Sequence, residues 1–244
     1  MRLLTSVGQL KVRSGAAWLL ALACLSVPLG LTTGCEPPAG TSGGSGGSAV
    51  STREGELAYV TDDELAKFVD GTPDHSVKFP EDNYAQGRKL LVANKYAESE
   101  QVLKDGIDAA VKSSAGETKL GQYCVRVNNA LYQEHKLKEA LKYAILASRI
   151  FYKQPPVQRT VPLWFFNVHM YMGFCYKYLG IYPEAEAQLR KAINVAASAP
   201  AGQVDWPFHR LCYVELLDTL SRDKKLKEHK QVELELKNLE DKHK

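Results

Sequence analysis

The 244-residue sequence predicts an all-α fold: an α-solenoid of antiparallel helix pairs, about three to four in number, over residues 80–241. Three observations carry that expectation. From about Glu56 onward no run of alternating apolar and polar residues marks a strand, and no Asn-Gly pair marks a hairpin. Helix start signals are abundant instead. One spacing of apolar and small residues also returns four times, at intervals of 41, 45 and 44 residues.

The chain is not read as helical from its first residue. Arg2, Lys11 and Arg13 are the only charges in residues 1–34; an apolar run from Ala16 to Leu31 follows, then small residues before Cys35. That is the layout of a secretory signal peptide. The apolar run contains Pro28 and Gly30 and is short for a spanning helix, which needs roughly 20 residues. Leu31-Thr32-Thr33-Gly34-Cys35 resembles the bacterial lipobox, whose Cys becomes the lipid-bearing first residue, with Thr32 where Leu is usual. A cut before Cys24 and an uncleaved signal anchor are the alternatives. Either end state, lipid or anchor, tethers the chain to a membrane outside the cytoplasm. Residues 35–55, with the tract Gly40–Ser48, read as a flexible Gly/Ser linker spanning roughly 25 Å. A phosphate loop would need a preceding strand and a Gly-Lys-Ser/Thr ending, and neither is present.

Composition excludes several classes. Lys and Arg number 31 against 28 Asp and Glu, but outside residues 1–34 the balance is 28 to 28. A general basic footprint for nucleic acid is absent. A 45% hydrophobic content argues against disorder, and a mean hydropathy of −0.27 against a polytopic membrane protein. Beyond Cys24 and Cys35, the thiols of Cys124, Cys175 and Cys212 fall in apolar stretches and read as buried and free, with one disulfide as the alternative.

Residues 56–79 read as an N-terminal capping helix and loop, opened by a capping box at Thr61-Asp62-Asp63-Glu64. Pro80, Pro162, Pro183 and Pro207 stand where helices begin, because the first turn leaves that backbone donor unpaired anyway. Helical apolar spacing joins Leu103, Ile107 and Ala110, then Leu141, Ala144, Ser148 and Phe151, then Val232, Leu236 and Leu239. The predicted helices are 62–70, 81–94, 96–113, 118–134, 137–153, 161–179, 183–198, 206–221 and 225–241.

The recurring frame is fullest in its third copy: His169, Met172, Gly173, Tyr176, Gly180, Tyr182, Ala185, Leu189 and Ala192. Forty-five residues earlier it reads Cys124, Val127, Asn128, Leu131, Leu137, Ala140, Ala144 and Ala147; another 41 earlier it reads Gln86, Gly87, Leu90, Tyr96, Ser99, Leu103 and Gly106. A degraded fourth copy holds Tyr213, Leu216, Leu217, Leu220 and Leu226, with polar His229 and Glu233 suited to a terminal cap. These residues resemble the tetratricopeptide repeat, an aromatic-x-x-Leu-Gly-x-x-Tyr helix followed by an Ala-x-x-x-Phe helix. Intervals of 41–45 exceed that family's 34, which implies longer helices or turns.

The resemblance implies a protein–protein interaction module: here, a membrane-anchored adaptor of a bacterial envelope taking a protein or peptide in a concave groove. Lipid-bearing relatives of that kind include assembly factors for outer-membrane complexes, and Glu36 after Cys35 resembles the outer-membrane sorting pattern in a cell with two membranes. Transferred by the frame, the groove positions are Tyr84 and Arg88, then Arg126, Asn129 and Tyr132, then Asn167, Tyr171, Phe174 and Tyr178. Tyr and Arg are enriched among residues that carry binding energy. The family's clamp for a C-terminal carboxylate is only partly matched, Tyr84 replacing its first Lys, so an internal or extended segment is expected. That several of these aromatics belong to the core is the competing expectation.

Catalytic readings find little support. His75, His135, His169, His209, His229 and His243 form no His-Glu-x-x-His, and no Cys-x-x-Cys or Gly-x-Ser-x-Gly is present. His209 and Cys212 could supply two metal ligands from one helix face, but packing is the simpler role. The mixed-sign tail from Arg222 to Lys244 reads as a solvated helix face. No enzyme activity, cofactor or metal is expected; a structural spacer and an enzyme on a solenoid scaffold are the rival classes.

Overall fold

A computed structural model describes residues 59–154 and 162–243, and every regular element among them is an α-helix. In order they are α1 (Asp62–Phe68), α2 (Glu81–Val92), α3 (Tyr96–Lys112), α4 (Glu117–Gln133), α5 (Leu137–Lys153), α6 (Pro162–Tyr178), α7 (Tyr182–Ser198), α8 (Trp206–Arg222) and α9 (Leu226–Lys242). Residues 1–58, with the stretches read as a signal peptide and a linker and with Cys24 and Cys35, lie outside the described residues. No helix among those described is long and apolar enough to cross a membrane.

The start signals act as their chemistry requires. Thr61 Oγ1 accepts from the Glu64 amide at 3.2 Å, and Glu64 Oε2 accepts from the Thr61 amide at 3.0 Å, which closes the capping box ahead of α1. Pro162 opens α6, and Pro183 and Pro207 fall in the first turns of α7 and α8. Pro80 is the N-cap of α2.

Four helix pairs follow α1, and one turn recurs inside each. Its central residue has positive φ: Asn94 at 57°, His135 at 58°, Gly180 at 79° and Lys224 at 59°. Two backbone bonds close each turn, such as Gly180 N to Lys177 O at 3.0 Å and Ile181 N to Tyr176 O at 2.9 Å. The other three copies bond in the same way. This is the left-handed C-terminal cap that satisfies the free carbonyls of the last helical turn. Recurring at the sequence intervals of the apolar frame, it shows that the repeat is structural.

Helices adjacent in sequence pack in series, in the layout of an α-solenoid. Contacts also join α2 to α4, α4 to α6, and α6 to α8, whereas no comparable contact joins alternate second helices among the described residues. The first helices therefore line the shorter, inner side of the stack. The long repeat has a plain origin. Seven of the eight paired helices have 17 residues, and residues 199–205 make a long connection between the third and fourth pairs.

The core runs along the pairs and is densest at α6, where 13 of 17 residues are buried. Close approach within a pair depends on small residues. A Cβ on Gly87 would meet Leu103 Cγ at 2.5 Å, and one on Gly173 would meet Leu189 Cγ at 2.7 Å. The helix expected to cap the N-terminal end lies against α5 instead: Glu64 pairs with Lys142 at 2.9 Å and Phe68 packs edge-on to Tyr143.

Candidate functional site on the inner face

The inner face is best equipped where α4 and α6 lie side by side. Trp164, Asn167, Tyr171, Phe174 and Tyr178 follow one another at spacings of three and four on α6, so they form one stripe along the helix. Arg126, Asn129 and Tyr132 form the matching stripe on α4. Tyr132 sits among three rings, with centroids 5.9 Å from Tyr171, 6.0 Å from Phe174 and 6.2 Å from Tyr178. Arg126 places its guanidinium 5.4 Å from the Trp164 ring, a cation–π contact.

Of the nine residues predicted for a groove, seven meet here. Tyr84 and Arg88 lie apart on α2, where Tyr84 packs against Phe79 and Tyr123. Exposure differs among these seven. Asn167, Tyr171 and Phe174 are 2%, 1% and 3% exposed, Arg126 and Asn129 are buried to about the same degree as each other, and Tyr178 is 52% exposed. The reason is physical: α4 and α6 approach closely enough that large side chains on the inner face bury one another. Tyr178 and half-buried Tyr132 remain at the surface of the cluster.

The cluster carries polar groups that the fold leaves without partners. Arg126 Nε and the Tyr171 hydroxyl are buried and make no hydrogen bond among the described residues. Burial raises the Tyr171 phenol above its ordinary value, and the neighbouring Arg126 charge opposes the rise. Burial also raises Tyr132. Buried polar atoms are almost always paired in folded proteins, and these two lie in one cluster.

Sequence reasoning missed the ionic chain beside it. Lys177 on α6, 7% exposed, pairs with Glu215 and lies 2.5 Å from Asp218 on α8, and Asp218 pairs in turn with Arg222 at 3.0 Å. Burial opposes the charged ammonium, but its hydrogen bonds to Asp218 and Glu215 prevail and hold the lysine above its ordinary value. The signal was present: Lys177 stands in the frame position of Tyr132, with two acids three residues apart on the next inner helix. These charges balance internally and leave nothing over for Arg126.

Metal and thiol chemistry have no foothold among the described residues. No group of three metal-ligating side chains occurs there. His209 and Cys212 are both buried on α8 without a third ligand. Cys124, Cys175 and Cys212 are free and buried; burial pushes the Cys175 thiol up to about 12 and raises the other two as well. Such thiols stay protonated and unreactive at neutral pH. An open cleft of about 630 Å³ on the outer side, lined by Arg190, Lys227, Lys230 and Leu234, is shallow, mixed in charge and remote from the cluster. No family model and no curated protein matches the chain.

Proposed function

We propose that the chain is a tetratricopeptide-like adaptor of a bacterial envelope, tethered through lipid at Cys35, that binds a protein or peptide segment along the inner face of its first helices. The observation that supports this reading most is the pairing of an aromatic platform, Tyr132 with exposed Tyr178, and buried polar groups that lack partners, Arg126 and Tyr171. A spacer needs neither. An enzyme on this scaffold would need a cluster of reactive groups, whereas Lys177 is engaged in ion pairs and Tyr171 and Cys175 are held neutral by burial. Assembly of an outer-membrane complex is the narrower form of the same reading, and Glu36 after Cys35 fits it.

A photo-crosslinking residue replacing Tyr178 tests the groove in cells, with one replacing Lys191 on the outer α7 as the control. A specific adduct is expected from position 178 alone, and equal adducts from both positions contradict the groove. Tethering is tested separately by Cys35→Ala. The variant is expected to leave the membrane fraction, or to accumulate as precursor without acyl chains. Wild-type protein without an acyl group at Cys35 contradicts the anchor.

A further inference from the structure

We infer that Arg126 and Tyr171 are the point at which the groove recognises an acidic side chain, Asp or Glu, inside an extended segment of the partner. The inference rests on the groove reading and names the chemistry of its ligand. Two buried cations on the inner face make the comparison. Lys177, 7% exposed, is matched by Glu215 and Asp218. Arg126, 9% exposed, has no carboxylate partner among the described residues, and its Nε–H has no acceptor. An enclosed N–H without an acceptor is costly, and the Trp164 ring beneath the guanidinium can offset the charge but cannot accept the in-plane Nε–H.

The group that completes the site has a definite chemistry. It must be negative, to balance one guanidinium, and it must offer at least two acceptor oxygens, for Arg126 Nε–H and the Tyr171 O–H. A carboxylate meets both needs, and its pairing with arginine is shorter and stronger than neutral hydrogen bonds. Asn129 and Asn167 flank the position with amides that can pair with the backbone of a bound segment. Placement selects a side chain over a chain end. Arg126 stands in the middle of α4, with Trp164 towards one end of the stripe and Tyr132 with Tyr178 towards the other. A segment covering both aromatic surfaces continues past the guanidinium and presents a side chain to it.

Random dodecapeptides displayed on phage, in one library flanked on both sides and in another ending at a free C-terminus, test this against the full-length chain. Selection from the flanked library is expected to fix Asp or Glu at one position. Arg126→Gln should weaken the selected peptides about thirtyfold or more, and replacing the fixed acid by its amide should do the same without adding to the loss. Tyr171→Phe should weaken them less. Both variants should melt at or above the wild-type temperature, because Arg126→Gln removes a charge without a counter-charge and Tyr171→Phe an orphaned buried hydroxyl. Peptides that bind through Tyr178 without an acidic preference would falsify the inference and leave the groove intact. Acid selected only at free C-termini overturns it in favour of a terminal carboxylate. A fall in melting temperature on Arg126→Gln makes the arginine structural. Failure to select any peptide removes the groove reading, and the inference with it.

Discussion

Burial holds the His169 imidazole down to about 4, against a hydrogen bond to Gln188 that pulls the other way. Its ring is enclosed between two partners, Nδ1 lying 2.8 Å from Gln188 Oε1 and Nε2 lying 2.8 Å from the Tyr152 hydroxyl. With Gln188 accepting, Nδ1 carries the proton and Nε2 accepts from tyrosine, so the neutral ring is fully paired and burial penalises the charged one. The unfolded imidazole, near 6.5, therefore binds a proton between pH 6.5 and 4 that the folded one refuses. Stability is complete above pH 6.5 and falls as pH drops through that window, by about 2 kcal/mol between pH 7 and pH 5. Urea unfolding at the two pH values checks this, and His169→Gln should flatten most of the slope. His209, lowered by burial and by His243, supplies a remainder of the same sign. Backbone strain gives a second prediction. His135 and Lys224 hold φ of 58° and 59°, in the left-handed region where a Cβ is disfavoured, while the third turn has Gly180 there. Lys224→Gly, at an exposed site, should stabilise the chain by roughly 1 kcal/mol, with an unchanged denaturant slope. The turn carries its strongest sequence signal in its third copy, at Gly180, and a milder one at Asn94, whereas Lys224 gives none.

Across the first three helix pairs one position has been solved in two ways. Gly87 faces Leu103 and Gly173 faces Leu189, so the small residue lies on the first helix and the large one on the second. In the second pair the order is reversed: Asn128 occupies the glycine position, and Ala144 stands in the frame position of the leucines. Asn128 uses its added bulk by donating from Nδ2 to the Ala140 carbonyl at 2.7 Å. The two residues should therefore be coupled. Asn128→Gly removes a buried hydrogen bond and helix propensity, and should cost about 2 kcal/mol. Ala144→Leu overpacks the pair by about 1–3 kcal/mol. The double variant recreates the chemistry of the first pair and should lose clearly less than the sum, a non-additivity that denaturant titration of all four proteins measures. Strict additivity would mean that the two side chains do not share the space. Helix extents were legible at this scale, observed ends falling within about two residues of those expected, because capping residues, prolines and periodicity agree. The site was less legible for the same reason. On α6 thirteen of 17 positions are buried, so apolar spacing cannot distinguish a side chain that faces a groove from one that faces the neighbouring inner helix.

Across the whole molecule, contacts join neighbouring helices, with one departure that no sequence pattern announced. The segment from Tyr59 to Asp74 lies across three helix pairs like a strap. Tyr59 packs edge-on to Tyr176 of α6, Glu64 and Val69 are held by Lys142 and Lys153 of α5, Lys67 pairs with Asp108 of α3, and the Asp74 amide donates to the Lys112 carbonyl. The ties to α5 span as many as 84 residues of chain, and the contact of Tyr59 with Tyr176 spans more. A capping helix was expected from residues 56–79 because they precede the first repeat, and position in sequence does not reveal which face such a segment meets. The strap is held lightly. No residue of α1 itself is buried, and its ion pairs are partly exposed, which limits each to about 1 kcal/mol or less. Val60, 1% exposed, is its one deeply buried apolar anchor within this span, and burying a valine side chain contributes about 1.5–3 kcal/mol. Val60→Asp should therefore free the segment as a unit. A solenoid transmits little beyond nearest neighbours, so the loss should stay local. Hydrogen exchange should show the α1 amides unprotected and those of α5 faster, with α8 and α9 unchanged from wild type. Separately, α9, which buries only Val232 and Leu236, should exchange sooner than α6 in both proteins. If protection in α8 and α9 falls together with α1, the strap sets the geometry of the entire stack, and the inner face with it. Unchanged exchange in α5 would instead mean that the strap only rests on the outer surface and supports no helix beneath it.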